Sequence, residues 1–375
     1  MELLILALSI VWLAHLAWES YRVRQARATI VHVIHVNGTR GKSTVCRLIE
    51  AGLRSGGMRV FCKTTGTDPM TIDVEGREEL LLRRGRANIK EQIRIIERAA
   101  NQRAQVLVVE CMAVQPELQH TAQHDILRAD IGVITNVRRD HSDVMGETLH
   151  QICAALSNTI PKRGILFTAE VQQAADLEKK SKLLDSRFVQ VQPDGSEPGF
   201  DFAENIALAL AVCEYLGINR KTALEGMERF HRDPYALSLH CLGQALFING
   251  LSINDVQSTC AVWERLKAEY SLADKELILL VNNRPDRGSR TEDMLRVCLE
   301  LAPEQIWLMG ASRSYMRRGL KRKLPGASVI DLASPTAIEL QKLTAAQVIF
   351  AVGNIANGGR ELMTWVRQEG RAFVQ

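Results

Sequence analysis

Residues 31–44 read VHVIHVNGTRGKST, and a helical pattern follows over Val45 to Ser55. Val31, Val33, Ile34 and Val36 make a strand-forming run. Gly38 and Gly41 then permit a tight turn that opens a helix. The backbone N–H groups of such a turn form a cradle for anions at the helix N-terminus. Lys42 is placed to reach the terminal phosphates of a nucleotide, and the Ser43 hydroxyl to ligate Mg2+. Gly38, Thr39, Arg40, Gly41, Lys42, Ser43 and Thr44 are therefore the expected phosphate-binding residues. A full Walker loop has glycine where Val36 stands, so this is a shortened form. The plain alternative is a glycine turn with a surface lysine.

Further strand-like runs at Ile30 to Val36, Gln105 to Val109, Asp130 to Thr135, Gly164 to Phe167, Glu276 to Val281 and Gln347 to Val352 alternate with helical stretches such as Phe202 to Leu216 and Lys221 to Phe230. Apolar strands separated by helices predict an α/β fold with a mostly parallel sheet, whose site lies at the carboxyl ends of the strands. At 375 residues there is room for two domains. A break is expected near Arg232 to Leu239, giving a P-loop domain over 28–238 and a smaller C-terminal α/β domain over 239–375. With 46% hydrophobic and 24% charged residues, a disordered or low-complexity chain is excluded. A net charge of +4 gives no case for nucleic acid as a partner. The eight cysteines include no C-x-x-C pair and read as reduced thiols.

Polar groups collect just past the expected strands. Glu110 closes QVLVVE and is the expected second Mg2+ ligand, a structural ion pair being the alternative. Residues 136–143, NVRRDHSD, offer His141 as a metal or phosphate ligand oriented by Asp140. Thr64, Thr65, Gly66 and Thr67 either cap phosphate or metal opposite the loop or form an ordinary turn. In NNRPDRGSR, residues 282–290, Arg284 and Arg287 can grip a carboxylate, and Asp286 an ammonium group or a neighbouring arginine. The run Arg313, Arg317, Arg318, Lys321, Arg322 and Lys323 is either an ordinary solvated face or a track for a polyanion or an anionic lipid surface.

Residues 2–18, ELLILALSIVWLAHLAW, are apolar apart from Glu2, Ser9 and His15, and Arg22, Arg24 and Arg27 follow. About 17 residues is the short end of what spans a hydrocarbon core. Positive charge after the run favours keeping the remaining chain in the cytoplasm. A single N-terminal membrane helix over 1–20 is expected, with a buried or amphipathic helix as the alternative.

Together these motifs resemble the Mur ligases, with folylpolyglutamate synthetase as a relative. The loop Gly38 to Thr44, the strand-end Glu110, the N-x-x-x-D-H-x-D pattern at Asn136, Asp140, His141 and Asp143, and a helix carrying Asn205 follow in that order. The chain is similar nearly throughout to the poly-γ-glutamate synthase ligase subunits, the PgsB/CapB capsule-biosynthesis family. It shares NG-x-RGKST at Asn37 to Thr44, KTTGTD at Lys63 to Asp68, ECMAV-x-P at Glu110 to Pro116 and DH-x-DVMG at Asp140 to Gly146. It also shares NG and ND-x-x-ST within Asn249 to Thr259, N-x-R-x-DR at Asn282 to Arg287 and AVGN at Ala351 to Asn354. It departs from the family at Ser238, where an arginine is expected after the interdomain Asp-Pro.

The resemblance implies a Mur-ligase-like fold with ATP and Mg2+ as cofactors. Lys42, Glu110 and His141 would be catalytic, with Ser43, Glu110 and His141 at the metal. Asn136, Asn205, Arg284, Asp286 and Arg287 would join the loop in binding. It further implies an ATP-dependent acid–amino-acid ligase that polymerises glutamate into poly-γ-glutamate through an acyl phosphate at the cytoplasmic membrane face. Its partners would be the growing polymer and membrane subunits of the PgsC/CapC and PgsA/CapA kinds, with a homo-oligomer compatible. The alternatives are another Mur or folylpolyglutamate-type ligase, a membrane-tethered P-loop ATPase serving polymer export, or a scaffold with an inactive loop.

Overall fold

In the computed structural model, which describes residues 2–373 except 67, 84, 86, 200, 234, 254, 285–287 and 357, the opening apolar run forms strand β1, His32–Asn37. Seven more strands join it: β2 (Val60–Thr64), β3 (Met70–Ile72), β4 (Glu78–Leu80), β5 (Val106–Glu110), β6 (Ile131–Ile134), β7 (Ile165–Thr168) and β8 (Arg187–Gln190). Their order is β4-β3-β2-β5-β1-β6-β7-β8. From β2 to β8 all neighbours are parallel, and β3 and β4 add an antiparallel edge. Val36 pairs with Glu110 and Asn37 with Ile134, so the chain leaves β1, β5 and β6 side by side.

Helix α1 spans Glu2–Ala28 and α2 spans Lys42–Ser55. On α2 the spacing of Val45, Leu48, Ile49 and Leu53 turns one apolar stripe inward, and all four are fully buried. This helix packs against the helices Ala203–Tyr215 and Arg220–Met227. Arg47, only 1% exposed, pairs with Glu78 Oε1 at 2.5 Å and donates to His231 O at 2.8 Å. The last residues of this unit are thereby pinned to α2.

The anchor was expected to end near residue 20, but α1 runs unbroken to Ala28 because no glycine or proline interrupts it. At about 1.5 Å per residue it is on the order of 40 Å long. Residues 2–18 are exposed almost throughout, Leu3 by 83%. Its C-terminal part is docked instead: Val23 is buried, and Arg27 donates to Leu127 O, Ile30 O, Arg128 O and Asp130. Among the described residues this is the one helix long and apolar enough to cross a membrane.

The chain divides into two compact units, Met1–Asp233 and Pro234–Gln375, a few residues before the expected 238/239 break. The second unit holds β9 (Ser238–Leu242), β10 (Ala245–Gly250), β11 (Glu276–Asn283), β12 (Gln305–Gly310), β13 (Ser328–Asp331), β14 (Gln347–Gly353) and β15 (Arg371–Ala372). They are ordered β13-β12-β11-β14-β10-β9-β15, parallel from β13 to β10 and antiparallel at β9 and β15. One face buries Val262, Trp263 and Leu266, with Trp263 stacked on Phe350, and the other buries Leu362, Met363 and Val366.

Two buried groups set opposing pH dependences. Burial pushes the Glu50 carboxyl up to about 7 despite Arg54 at 2.7 Å, and burial pulls His35 down to about 4. From the usual carboxylate value to about pH 7 the folded state keeps a proton on Glu50 that the unfolded chain has lost, so stability falls as pH rises. His35 acts in reverse: below the ordinary imidazole value of 6.5 the unfolded chain gains a proton that the folded state refuses down to about pH 4, so stability falls on acidification. Glu50→Gln removes the first slope and leaves the second. Urea midpoints followed from about pH 7 to about pH 5 are expected to drop more steeply in the variant than in the wild type, and parallel curves would refute the assignment.

Candidate functional site

The loop after β1 depends on two glycines. Gly38 has φ 127°, and a β-carbon there would sit 2.1 Å from Thr135 Oγ1. Gly41 has φ 79°, and a β-carbon there would sit 2.6 Å from Asn205 Oδ1. Both positions require a residue without a side chain. Asn136, just past β6, shapes the turn between them. Its Oδ1 accepts from Thr39 Oγ1 at 2.7 Å and from Arg40 N at 3.1 Å, and its Nδ2 donates to Arg40 O at 3.1 Å. Thr135 Oγ1 donates to Arg40 O at 2.6 Å, and Thr39 Oγ1 accepts from Arg138 N at 2.9 Å. The Lys42 ammonium donates to Gly38 O at 2.7 Å and Thr39 O at 3.3 Å, which holds it inside the turn. No side chain caps α2 and no carboxylate stands in its first turn, leaving its N-terminal N–H groups suited to an anion. Thr44 is half-buried in that first turn.

Ser43 and Glu110 meet. Ser43 Oγ donates to Glu110 Oε2 at 2.8 Å, and Thr65 N donates to the same oxygen at 2.5 Å. Glu110 is only 3% exposed. The turn after β2 crosses closely above: a β-carbon on Gly66 would lie 2.9 Å from Ser43 Oγ and 2.8 Å from Asp233 Oδ2. Asp233 thus brings a second carboxylate to the Ser43 side, two residues after the carbonyl of His231 that Arg47 holds. Sequence reading did not single it out for the site; the available signal was Gly66, which is needed for space. Beneath the turn, fully buried Lys63 pairs with Glu91 at 2.9 Å. Thr67 lies outside the described residues.

These oxygens suit Mg2+. A hydroxyl and a carboxylate are hard donors, and Mg2+ is usually held by one or two protein oxygens together with phosphates and water. Among the described residues no group of three or more His, Cys, Asp or Glu side chains forms a cage for a metal. His141 enters by another route. Its backbone N donates to Asp140 Oδ1 at 3.0 Å, its ring Nε2 lies 3.9 Å from that oxygen, and Asp140 Oδ2 faces Arg40 at 3.6 Å. The Ser43–Glu110 contact is made without it. Asn205, at the start of the helix Ala203–Tyr215, lies against Gly41 and donates to Asp201 Oδ1 at 2.8 Å.

In the second unit, Arg284 is half-buried directly after β11, while Asp286 and Arg287 lie outside the described residues. The carboxyl ends of β10, β11 and β14 carry Asn249, Asn282 and Asn354. Asn282 Nδ2 donates to Asn354 O at 2.5 Å and Ala356 O at 2.8 Å. Its buried Oδ1 has no hydrogen-bond partner among the described residues. Asn249 Nδ2 donates to Ala236 O at 2.9 Å, fastening the start of this unit to β10.

Residues 36–213 match the Mur ligase middle domain, and residues 235–369 match the poly-gamma-glutamate synthase CapB C-terminal domain. The capsule biosynthesis protein CapB of Bacillus anthracis is 32% identical over 94% of this chain and 80% of its own length. The PGA synthase CapB of Bacillus subtilis is also 32% identical, over 98% of each chain. Among solved structures, a bifunctional folylpolyglutamate synthase/dihydrofolate synthase from Yersinia pestis, complexed with AMPPNP and Mn, superposes with a TM-score of 0.69 at 15% identity, covering 96% of this chain and 97% of that one. That likeness shows the fold.

The loop geometry predicts the effect of removing its hub. Asn136→Ala deletes three hydrogen bonds, at about 1 kcal/mol each at most, so calorimetric binding of an ATP analogue with Mg2+ is expected to weaken roughly 5- to 100-fold. Unchanged affinity in a folded variant would show that Asn136 does not shape the cradle.

Proposed function

The chain belongs to the CapB family of poly-gamma-glutamate synthases, with a Mur ligase middle domain, and we propose that it is an ATP-dependent ligase that joins glutamate into poly-γ-glutamate. The observation that carries this reading is the Ser43–Glu110 pair beside the shortened phosphate loop. In the proposed reaction a carboxylate oxygen of the acceptor attacks the γ-phosphorus of ATP, and ADP leaves. The amine of the incoming glutamate then attacks the acyl carbon and phosphate departs. One amide bond forms, and one proton is released from the amine.

The chain's own residues neutralise and align the reactants. The loop N–H groups from Gly38 to Thr44 hold the phosphates, and Lys42 exchanges the Gly38 and Thr39 carbonyls for the γ-phosphate. Ser43 and Glu110 would hold Mg2+, which when bound would offset the charge of the phosphates. His141, positioned by Asp140, would be the further metal ligand, and Asn136 keeps the loop in shape. Asn205, beside Gly41, is assigned to the adenine end. Arg284, with Asp286 and Arg287, would receive the carboxylate and ammonium groups of glutamate in the second unit.

In the same reading α1 tethers the enzyme as a single-pass helix with its catalytic units on the cytoplasmic face, Arg22 and Arg24 lying toward the lipid boundary and Arg27 fastening the helix to the first unit. Membrane subunits of the PgsC/CapC and PgsA/CapA kinds would carry the polymer onward, since one helix cannot form a channel, and a homo-oligomer remains compatible with this arrangement.

With membranes, Mg2+ and ATP, glutamate is expected to stimulate phosphate release and to enter acid-insoluble polymer, and Lys42→Ala is expected to lower both on the order of 100-fold or more. Phosphate release at one rate with or without glutamate would contradict ligation and favour an ATPase.

A further inference from the structure

A cleft of about 170 Å3 runs between α1 and the body of the first unit. One face of α1 lines it through Leu16, Glu19, Ser20, Val23, Arg24 and Arg27, spaced three or four residues apart as successive turns of a helix require. The opposite wall is Ile93, from the helix Glu91–Asn101, with Asp125, Ile126 and Arg128. Arg27 is held by Leu127 O, Ile30 O, Arg128 O and Asp130, and Val23 is buried, so protein contacts close this end of the cleft.

The other charges in the cleft have no partners. Arg22, next to it on α1, pairs with Glu97, and Arg27 pairs with Asp130. Among the described residues Arg24, Arg128, Glu19 and Asp125 form no ion pair and no side-chain hydrogen bond. Two cations and two carboxylates therefore line one space without neutralising each other. A simple anion entering it would meet the carboxylates, and a simple cation the arginines. The complementary occupant carries both signs.

Position along α1 identifies the source of such a group. The apolar run ends at Trp18. A bilayer about 40–45 Å thick with a hydrocarbon core of about 30 Å leaves roughly 5–8 Å of headgroups on each side. From Glu19 to Arg24 the helix rises by about 8 Å. With α1 across the membrane these charges stand at headgroup level. Leu16, 37% exposed at the lipid end of the cleft, joins it to the exposed apolar surface of α1, along which acyl chains would lie.

We propose that this cleft binds the headgroup of phosphatidylethanolamine, with Arg24 and Arg128 receiving the phosphate and Glu19 and Asp125 the ammonium. The proposal rests on α1 being a membrane helix and is independent of the ligase chemistry. A phosphoethanolamine group is comparable in size to the benzene that a cavity of about 150 Å3 accepts. Its primary ammonium donates hydrogen bonds to carboxylates. The quaternary ammonium of phosphatidylcholine has no N–H to donate, and phosphatidylglycerol brings a phosphate with no cation for Glu19 and Asp125. A headgroup seated here bridges α1 to residues 125–128 and fixes the height at which the first unit meets the bilayer.

The test uses the full chain in nanodiscs made from equal parts of phosphatidylethanolamine, phosphatidylcholine and phosphatidylglycerol, with retained lipids counted by native mass spectrometry. The wild type is expected to retain phosphatidylethanolamine at least about 3-fold over each of the other two. Arg24→Ala with Arg128→Ala is expected to lower that retention about 3-fold or more, to the level of phosphatidylcholine. Glu19→Gln with Asp125→Asn leaves the cations without their carboxylates and is expected to invert the preference, so that phosphatidylglycerol is retained above phosphatidylethanolamine. A general basic surface would take phosphatidylglycerol in the wild type already.

Equal retention of the three lipids by the wild type overturns the proposal, as does a wild-type preference for phosphatidylglycerol or phosphatidylcholine, or retention that neither pair of substitutions changes. The substituted side chains are exposed or half-buried, so urea midpoints equal to the wild type's are expected and show that the variants are folded. If one pair lowers the midpoint, the other pair decides. A chain that alkaline washing strips from vesicles overturns the membrane helix and the site with it. A chain that stays embedded but selects no lipid overturns the site alone.

Discussion

The register between β1 and β5 is the constraint on which the site depends. Because Val36 stands opposite Glu110, the chain leaves one strand into the glycine turn while its neighbour ends on a carboxylate, and Ser43 Oγ comes within 2.8 Å of Glu110. Slipping that register by one residue would turn Glu110 to the other face of the sheet. The same row places Thr135 and Asn136 past β6, where their side chains bond the loop. A parallel sheet thus brings a hydroxyl, a carboxylate and an amide from three distant segments to one edge, which is where such sheets bind ligands.

Two further segments close over this edge. The turn after β2 donates Thr65 N to Glu110, and Gly66 leaves room for Ser43 and Asp233. Arg47 reaches from α2 to Glu78 and to the carbonyl of His231, so the end of the first unit is held from the phosphate-loop helix itself. Breaking a buried pair of this kind usually costs about 3–5 kcal/mol, because the remaining charge is stranded. Loop, Glu110 carboxylate and chain exit therefore share one network, and a shift of α2 would be felt at all three.

Much of this was legible in the residues. Continuous apolar runs marked β1, β5, β6, β7, β11 and β14, since strands buried on both faces have no alternation to obscure them. Gly38, Gly41, Lys42, Ser43, Glu110 and Asn136 stood out as residue types placed just past strands, and the fold brings them to one edge. Short or half-exposed strands were not legible. β3, β4, β8 and β13 have three or four residues each and lie at or near sheet edges, where burial imposes little pattern. Asp233 was hidden for another reason: a carboxylate before a proline reads as a turn, and only the fold brings it to Gly66. The continuation of α1 to Ala28 lies beyond the apolar run, in residues whose apolar content is low, and Arg27 there docks the helix onto Asp130.

The central claim is that ATP activates a carboxyl group before the amide forms, and oxygen tracing tests it most directly. Glutamate labelled with 18O in its γ-carboxylate is supplied to membranes containing the protein with Mg2+ and ATP, and the released phosphate is analysed by mass spectrometry. Activation through an acyl phosphate leaves one carboxylate oxygen on phosphorus, so one 18O per amide bond is predicted in inorganic phosphate. Polymer formation with unlabelled phosphate would contradict the account.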